Sequence, residues 1–152
     1  MEINTRYDYV SLELAKVLRA SGFDWPVTSY YQHGIFYEFS IDRSRIICTN
    51  KNNAPVYMEQ FSAPTLEVAN KYLRLVMGFH VQVEYTPWPK RDENGKFIEF
   101  EPRWMFHIVK IGKGTEGMWH SMSAYESPEE ALQNGLLSAY KSVKQYEDEK
   151  GN

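Results

Sequence analysis

Thr65-Leu66-Glu67-Val68-Ala69-Asn70-Lys71-Tyr72-Leu73-Arg74-Leu75-Val76-Met77-Gly78-Phe79-His80-Val81-Gln82-Val83-Glu84-Tyr85 changes its hydrophobic period at one glycine. Before Gly78, Leu66, Ala69, Leu73 and Val76 recur at helical spacing, with Val68, Tyr72 and Leu75 as a neighbouring stripe. After it, Phe79, Val81, Val83 and Tyr85 alternate with His80, Gln82 and Glu84, as along a half-buried strand. Thr65 can cap the helix, as can Ser62 with Pro64 in the first turn. Gly78 closes it. So wide an apolar surface predicts a helix covered on most sides and packed across a sheet.

Downstream, Thr86-Pro87-Trp88-Pro89 should end the strand, because neither proline can donate a ladder hydrogen bond. Asp92-Glu93-Asn94-Gly95-Lys96 reads as a hairpin tip. Arg103 to Ile111 and Met118 to Tyr125 read as strands, and their short glycine-rich link, Gly112 to Gly117, favours antiparallel pairing. Ser127-Pro128-Glu129-Glu130 starts the last helix with a cap residue, proline at the first helical position and glutamate at the third. Leu132, Leu136, Ala139, Tyr140 and Val143 form its buried face. Gly135 costs this helix about 1 kcal/mol in propensity and marks close approach to the sheet. Glu147 to Asn152 reads as a frayed tail.

Upstream, Ser11 caps a first helix, with Glu13 in its first turn, Val10 packing back on Ala15, and Leu14, Val17 and Leu18 buried. Gly22 takes the left-handed position after it and Phe23 folds back on the last turn. Trp25-Pro26 prevents continuation. From Gln32 to Asp42 a strand should bury Ile35, Tyr37, Phe39 and Ile41 and expose Phe36, Glu38, Ser40 and Asp42. Arg45 to Thr49 is a second strand, Asn50 to Pro55 a loop, and Val56 to Phe61 a third short strand. With no repeat or linker, the expected architecture is a single α+β domain over residues 1–146: three helices packed on a mainly antiparallel sheet.

A chain of 152 residues suits one core without disulfides or a structural metal. With 17 basic and 20 acidic residues, its net charge of -3 argues against a nucleic-acid partner, the Lys90-Arg91 pair notwithstanding. Cys48 is the single cysteine, which points to a buried thiol in a reducing compartment. Met1 to Tyr9 lacks the apolar core of a signal peptide, and no stretch reaches the roughly 20 apolar residues of a membrane span. A cytoplasmic protein without a membrane partner is the expectation.

Motifs with chemistry are weak. Gly112 to Gly117 spells G-x-G-x-x-G, yet it precedes an alternating strand instead of the helix whose N–H groups would meet a pyrophosphate. If register puts His107 and His120 on one face beside the Phe79 strand, His80, Glu84, His107 and His120 gather into a three-histidine-plus-carboxylate metal set. A one-residue slip would send His107 and His120 to opposite faces, and ordinary sheet positions are the default expectation for all four. Glu38, Glu59, Glu84, Glu99 and Glu101 are the acid–base candidates, and Ser121 and Ser123 lie near His120, but no pair is assigned a catalytic role. Cys48 has no adjacent histidine. No cofactor is implied.

The aromatic residues divide by pattern. Tyr37, Phe39, Tyr72, Phe79, Phe106 and Tyr140 fall on faces expected to be buried. Tyr30, Tyr31, Trp88, Phe97, Trp104 and Trp119 are harder to place inside. Trp25, Tyr30, Tyr31, Trp88, Lys90, Arg91, Trp104 and Trp119 are therefore the candidate contact surface for a protein or small-molecule partner, or for a second copy in a homo-oligomer.

Ser11-Leu12-Glu13-Leu14-Ala15 to Gly22-Phe23, Ala63-Pro64-Thr65 leading to Tyr72-Leu73-Arg74, and Tyr125-Glu126-Ser127-Pro128-Glu129-Glu130-Ala131 to Ala139 resemble small uncharacterised proteins of phages, prophages and Bacteroidota genomes. The resemblance implies an origin in a mobile element and carries no catalytic residues. The leading expectation is a non-enzymatic binding or accessory protein. The alternatives are a small hydrolase or metal-assisted enzyme using strand histidines and glutamates, and an oligomer that sequesters a small ligand.

Overall fold

The helix starts form where local hydrogen bonding demands them. In the computed structural model, which describes residues 5–38, 50–114, 118–121 and 123–150, α1 spans Leu12–Ala20 and Ser11 Oγ accepts from Leu14 N at 3.1 Å. At its other end Gly22 has φ of 87°, and Phe23 N donates to Leu18 O while Gly22 N donates to Arg19 O. This is the double-bonded left-handed stop that glycine favours. α2, Leu66–Tyr72, is capped by Thr65, whose Oγ1 accepts from Val68 N at 3.2 Å. It runs into a wider π turn, Leu73–Met77, and stops at Gly78. α3, Pro128–Lys150, starts with Ser127 Oγ accepting from Glu130 N.

Among the described residues, eight strands form three small antiparallel sheets. The first has the order β2-β1-β3, with β1 Ser29–Gln32, β2 Ile35–Glu38 and β3 Gln60–Ser62. The second has the order β4-β7-β8, with β4 Phe79–Tyr85, β7 Trp104–Lys110 and β8 Met118–His120. The third is a pair, β5 Trp88–Arg91 and β6 Phe97–Glu101.

The α+β class with three helices on antiparallel sheet is what the sequence predicts, but several details differ. β1 was not anticipated. The His33-Gly34 turn joins it to β2 in a register that sets Tyr31 opposite Phe36 and Tyr30 opposite Tyr37. Tyr31 is buried, so Phe36 turns inward beside it, while Ile35 and Tyr37 are exposed. The faces expected for this strand are therefore reversed. Phe39, Ile41 and the strand expected from Arg45 to Thr49 lie outside the described residues. Val56–Met58 is a 3₁₀ turn, and the third strand begins only at Gln60. Leu75 and Val76 are exposed, so the end of the second helix is not covered on all sides.

β8 is also shorter than the alternation suggests. Ser121 N donates to Phe106 O, but Phe106 N turns to Ser121 Oγ instead of the Ser121 carbonyl, and that hydroxyl in turn donates to Ser123 O. The ladder breaks there and resumes as one bridge between Trp104 and Tyr125.

The core lies where α3 crosses the β4-β7-β8 sheet and meets α1 and α2. Leu136, Ala139, Tyr140 and Val143 are buried there with Leu14, Leu18, Leu73, Val81, Phe106 and Ile108. Tyr140 donates its hydroxyl proton to Ala69 O at 2.6 Å, and burial raises its pKa far above the usual phenol value. Asn70 closes the open edge of β4: its side-chain N–H donates to Val81 O and its carbonyl accepts from Val81 N. Arg19 ties α1 to the β3 region through Gln60 O and Ala54 O, each at 2.6 Å.

Candidate functional site

After Tyr85 the chain leaves the packed sheet. Thr86 N still donates to Arg103 O at 2.7 Å, and beyond that rung β5 and β6 run out as a two-stranded arm. Thr86 to Pro89 thus ends one strand as expected, yet Trp88 begins another. Pro89 is accommodated because a ladder tolerates proline on an edge strand. At the tip Asp92 Oδ1 accepts from Asn94 N and Lys96 N, and Gly95 has φ of 79°. Among the described residues neither strand pairs with a third.

The register sorts the arm into two faces. Trp88 lies opposite Glu101 and Lys90 opposite Glu99, whereas Pro89 lies opposite Phe100 and, past a bulge, Arg91 opposite Phe97. One face is polar around a single indole: Arg103 sits over Trp88 at 5.7 Å and binds Glu101 at 2.9 Å, and Lys90 approaches Glu99 at 4.0 Å. On the other, the Phe97 and Phe100 rings meet at 4.9 Å. Trp88, Phe97, Ile98 and Phe100 are all exposed, Phe100 at 60%, and so is Tyr85 at the arm's root.

The structure divides the surface expected from sequence into several places. Trp88, Lys90 and Arg91 are on the arm, and Trp104 is at its root with its ring 5.5 Å from Tyr85. Trp119 is exposed on β8, opposite Ile108 and 6.1 Å from the Phe79 ring. Tyr30 is on the other three-stranded sheet, stacked on Tyr37 at 5.4 Å, with Lys51 4.7 Å from its ring. Tyr31 is a correction: it is only 2% exposed and its hydroxyl donates to Val10 O, so it belongs to the core. Trp25 is half-buried edge-on against Tyr72 and fills the flank of the core. Ile98 and Phe100 were missed. Their signal was Phe97-Ile98-Glu99-Phe100-Glu101, an apolar segment following a strong turn.

The histidines and carboxylates are partly brought together. Glu84 Oε2 lies 2.6 Å from His107 Nε2, and β7 pairs with β8 so that His107 stands opposite His120. His80, four residues before Glu84, meets Arg74 instead, with 3.2 Å between Nδ1 and the guanidinium. Burial, and then that neighbouring cation, lower its pKa below the usual imidazole value. Among the described residues no three histidine, cysteine, aspartate or glutamate side chains gather into a metal-holding group. His33 pairs with Glu59 at 3.0 Å, both with left-handed backbone. Glu38 accepts from the Tyr9 hydroxyl, and this bond raises the pKa of the phenol. Cys48 lies outside the described residues.

Gly112 and Gly114 both have positive φ in the link between two antiparallel strands, so no helix follows to receive a phosphate. A cleft of about 440 Å³ opens between the starts of α1 and α3, lined by Tyr7, Tyr9, Ser11, Ser127, Glu129 and Gln133 among others. Its walls join the two caps, where Gln133 Oε1 accepts from Ser11 N. No helix among the described residues is long and apolar enough to cross a membrane.

No family model matches the chain, and no curated protein or solved structure is similar to it.

Proposed function

We propose that the protein is a non-enzymatic binding protein that acts through the β5–β6 arm, and that its partner there is a second copy of the chain. The observation carrying this reading is an arm of two strands that pairs with no third strand among the described residues and leaves Phe97, Ile98 and Phe100 exposed. An isolated two-stranded hairpin is at best marginally stable in water, so exposed Phe97, Ile98 and Phe100 are a liability without a partner.

Three features favour a second copy. The β5 edge is blunted by Pro89, Lys90 and Arg91, which are ordinary guards against strand addition. The β6 edge, Phe97–Glu101, has no proline and high strand propensity. Its glutamates already have cations in their own chain, Lys90 for Glu99 and Arg103 for Glu101, which reduces repulsion between two such edges. Finally, Phe97 and Phe100 stand together on the face away from Trp88, with their rings 4.9 Å apart and both exposed, as is Ile98 between them in sequence, the kind of exposed apolar patch that marks a contact site. An origin in a mobile element, implied by the resemblance of the three helix-start segments, belongs to the same proposal.

Native mass spectrometry and sedimentation over a concentration series test it. A dimer is expected for the wild type, and a monomer for Phe100→Glu at the same concentration. A wild type that stays monomeric to about 100 μM would end the proposal.

A further inference from the structure

We infer that the cleft between the starts of α1 and α3 binds a small organic cation, an amine with an apolar body, held by Tyr7, Tyr9, Glu129 and Glu130. At about 440 Å³ the cleft has the size of a small-molecule site. Among the described residues, none of those on the β5–β6 arm lines it.

Its walls are fixed before any ligand arrives. Gln133 joins the two helix starts, with Oε1 accepting from Ser11 N at 3.3 Å and the amide nitrogen donating to Ser11 Oγ. Tyr9 is held on three counts: it bridges to Thr65, its ring lies 5.2 Å from Phe36, and its hydroxyl donates to Glu38 Oε1 at 2.7 Å. A ligand entering here meets side chains already in place, which lowers the ordering cost of binding. Tyr7 is 69% exposed, so ring surface is left for a ligand to cover.

Charge decides what that ligand is. Each helix start is equivalent to about half a positive charge, so the two together supply about one and would by themselves favour an anion. The N–H groups that would grip an anion are already used, however. Leu14 N donates to Ser11 Oγ, Glu130 N to Ser127 Oγ, and Ser11 N to Gln133. Against the helix ends stand the carboxylates of Glu129 and Glu130, both exposed. Among the described residues, no lysine, arginine or histidine lines the cleft. Asp8, and Glu38 on the Tyr9 hydroxyl, add to the negative field. The balance is negative. Tyrosine faces attract cations, and their carbon surface suits an apolar body. A bare metal ion fits less well, since among the described residues no three ligating side chains gather.

The test is an NMR shift titration of the full chain with phenethylammonium chloride, repeated at equal ionic strength with phenethyl alcohol and hydrocinnamate as neutral and anionic counterparts. Saturable binding of the amine is expected with a Kd below about 1 mM. Its shifts should centre on Tyr7, Tyr9, Ser11 and Gln133, a reading that needs no variant. Both counterparts should bind at least about fivefold more weakly. The double variant Glu129→Gln/Glu130→Gln should weaken the amine about fivefold and Tyr7→Ala about threefold, whereas Tyr7→Phe, which keeps the ring, should stay within about twofold. Phe100→Glu, on the arm, should also leave the affinity within about twofold, so failure of the dimer and failure of this site are separate results. No saturation by about 10 mM amine, hydrocinnamate binding as tightly as the amine, or unchanged affinity in the folded double variant would each overturn the site.

Discussion

Gly135 in α3 lies so close to Val81 in β4 that a β-carbon on it would sit 2.5 Å from Val81 Cγ1 and 2.9 Å from Phe106 Cγ. The helix can lie this deep in the sheet because residue 135 has no side chain. Gly135→Ala should recover about 1 kcal/mol of helix propensity and lose more to overpacking, since Val81 and Phe106 are buried and β-branched Val81 cannot swing aside. A net destabilisation of about 1–2 kcal/mol is expected in urea unfolding. A variant as stable as the wild type would show that α3 can lift from the sheet.

That contact was legible in the sequence because its signal is local: glycine weakens a strongly patterned helix, and close packing is the usual return for that cost. The starts at Ser11, Thr65 and Ser127 were legible for the same reason, each depending on a bond to a backbone N–H three residues on. Strand faces were not. Ile35 and Phe36 alternate equally well in either sense, and the choice was made by Tyr31, whose buried hydroxyl reaches Val10 O in another part of the chain. The candidate surface failed in the same way at Tyr31, whereas Trp88, Lys90 and Arg91 were found because prolines and a strong turn place them on an exposed excursion. Ile98 and Phe100 eluded pattern reading because apolar alternation normally means one buried face, whereas here both side chains are exposed on an arm that pairs with no third strand among the described residues.

Asn70 and Val81 make a second test of the packed sheet. The Asn70 amide both donates to and accepts from the Val81 backbone, at 2.9 and 3.0 Å. Asn70→Ala removes both bonds and should cost about 1–3 kcal/mol in chemical denaturation. Asn70→Asp keeps the acceptor but sets a carboxylate against Val81 O, and should be no better than alanine at neutral pH. If aspartate restored stability, the donated bond would be dispensable.

Tyr31 and Phe100 separate core from contact surface in one pair of experiments. Tyr31→Phe deletes a buried bond of 2.8 Å to Val10 O and should lower stability by about 0.5–1.5 kcal/mol without changing the oligomer. Phe100→Glu changes an exposed side chain and should leave monomer stability within about 0.5 kcal/mol while abolishing association. The cross-over between unfolding and sedimentation data is the criterion. Loss of the dimer in a folded Tyr31→Phe variant would place the interface on the other sheet.

His80 predicts how stability responds to acid. Its folded pKa is lowered by burial and then by Arg74, while in the unfolded chain it should protonate near pH 6.5. Between the unfolded pKa and the lower folded one, the unfolded state binds more protons, so stability rises with pH across that interval. This contribution is fully present above the unfolded value, is lost as pH falls, and reaches its limit below the folded value. His80→Gln should therefore flatten the dependence of unfolding free energy on pH as pH falls below about 6.5. Arg74→Met should flatten it less, because it removes the neighbouring charge and leaves the burial. Urea unfolding at several pH values on all three proteins is the measurement. Parallel slopes in wild type and His80→Gln would assign the acid sensitivity to other groups.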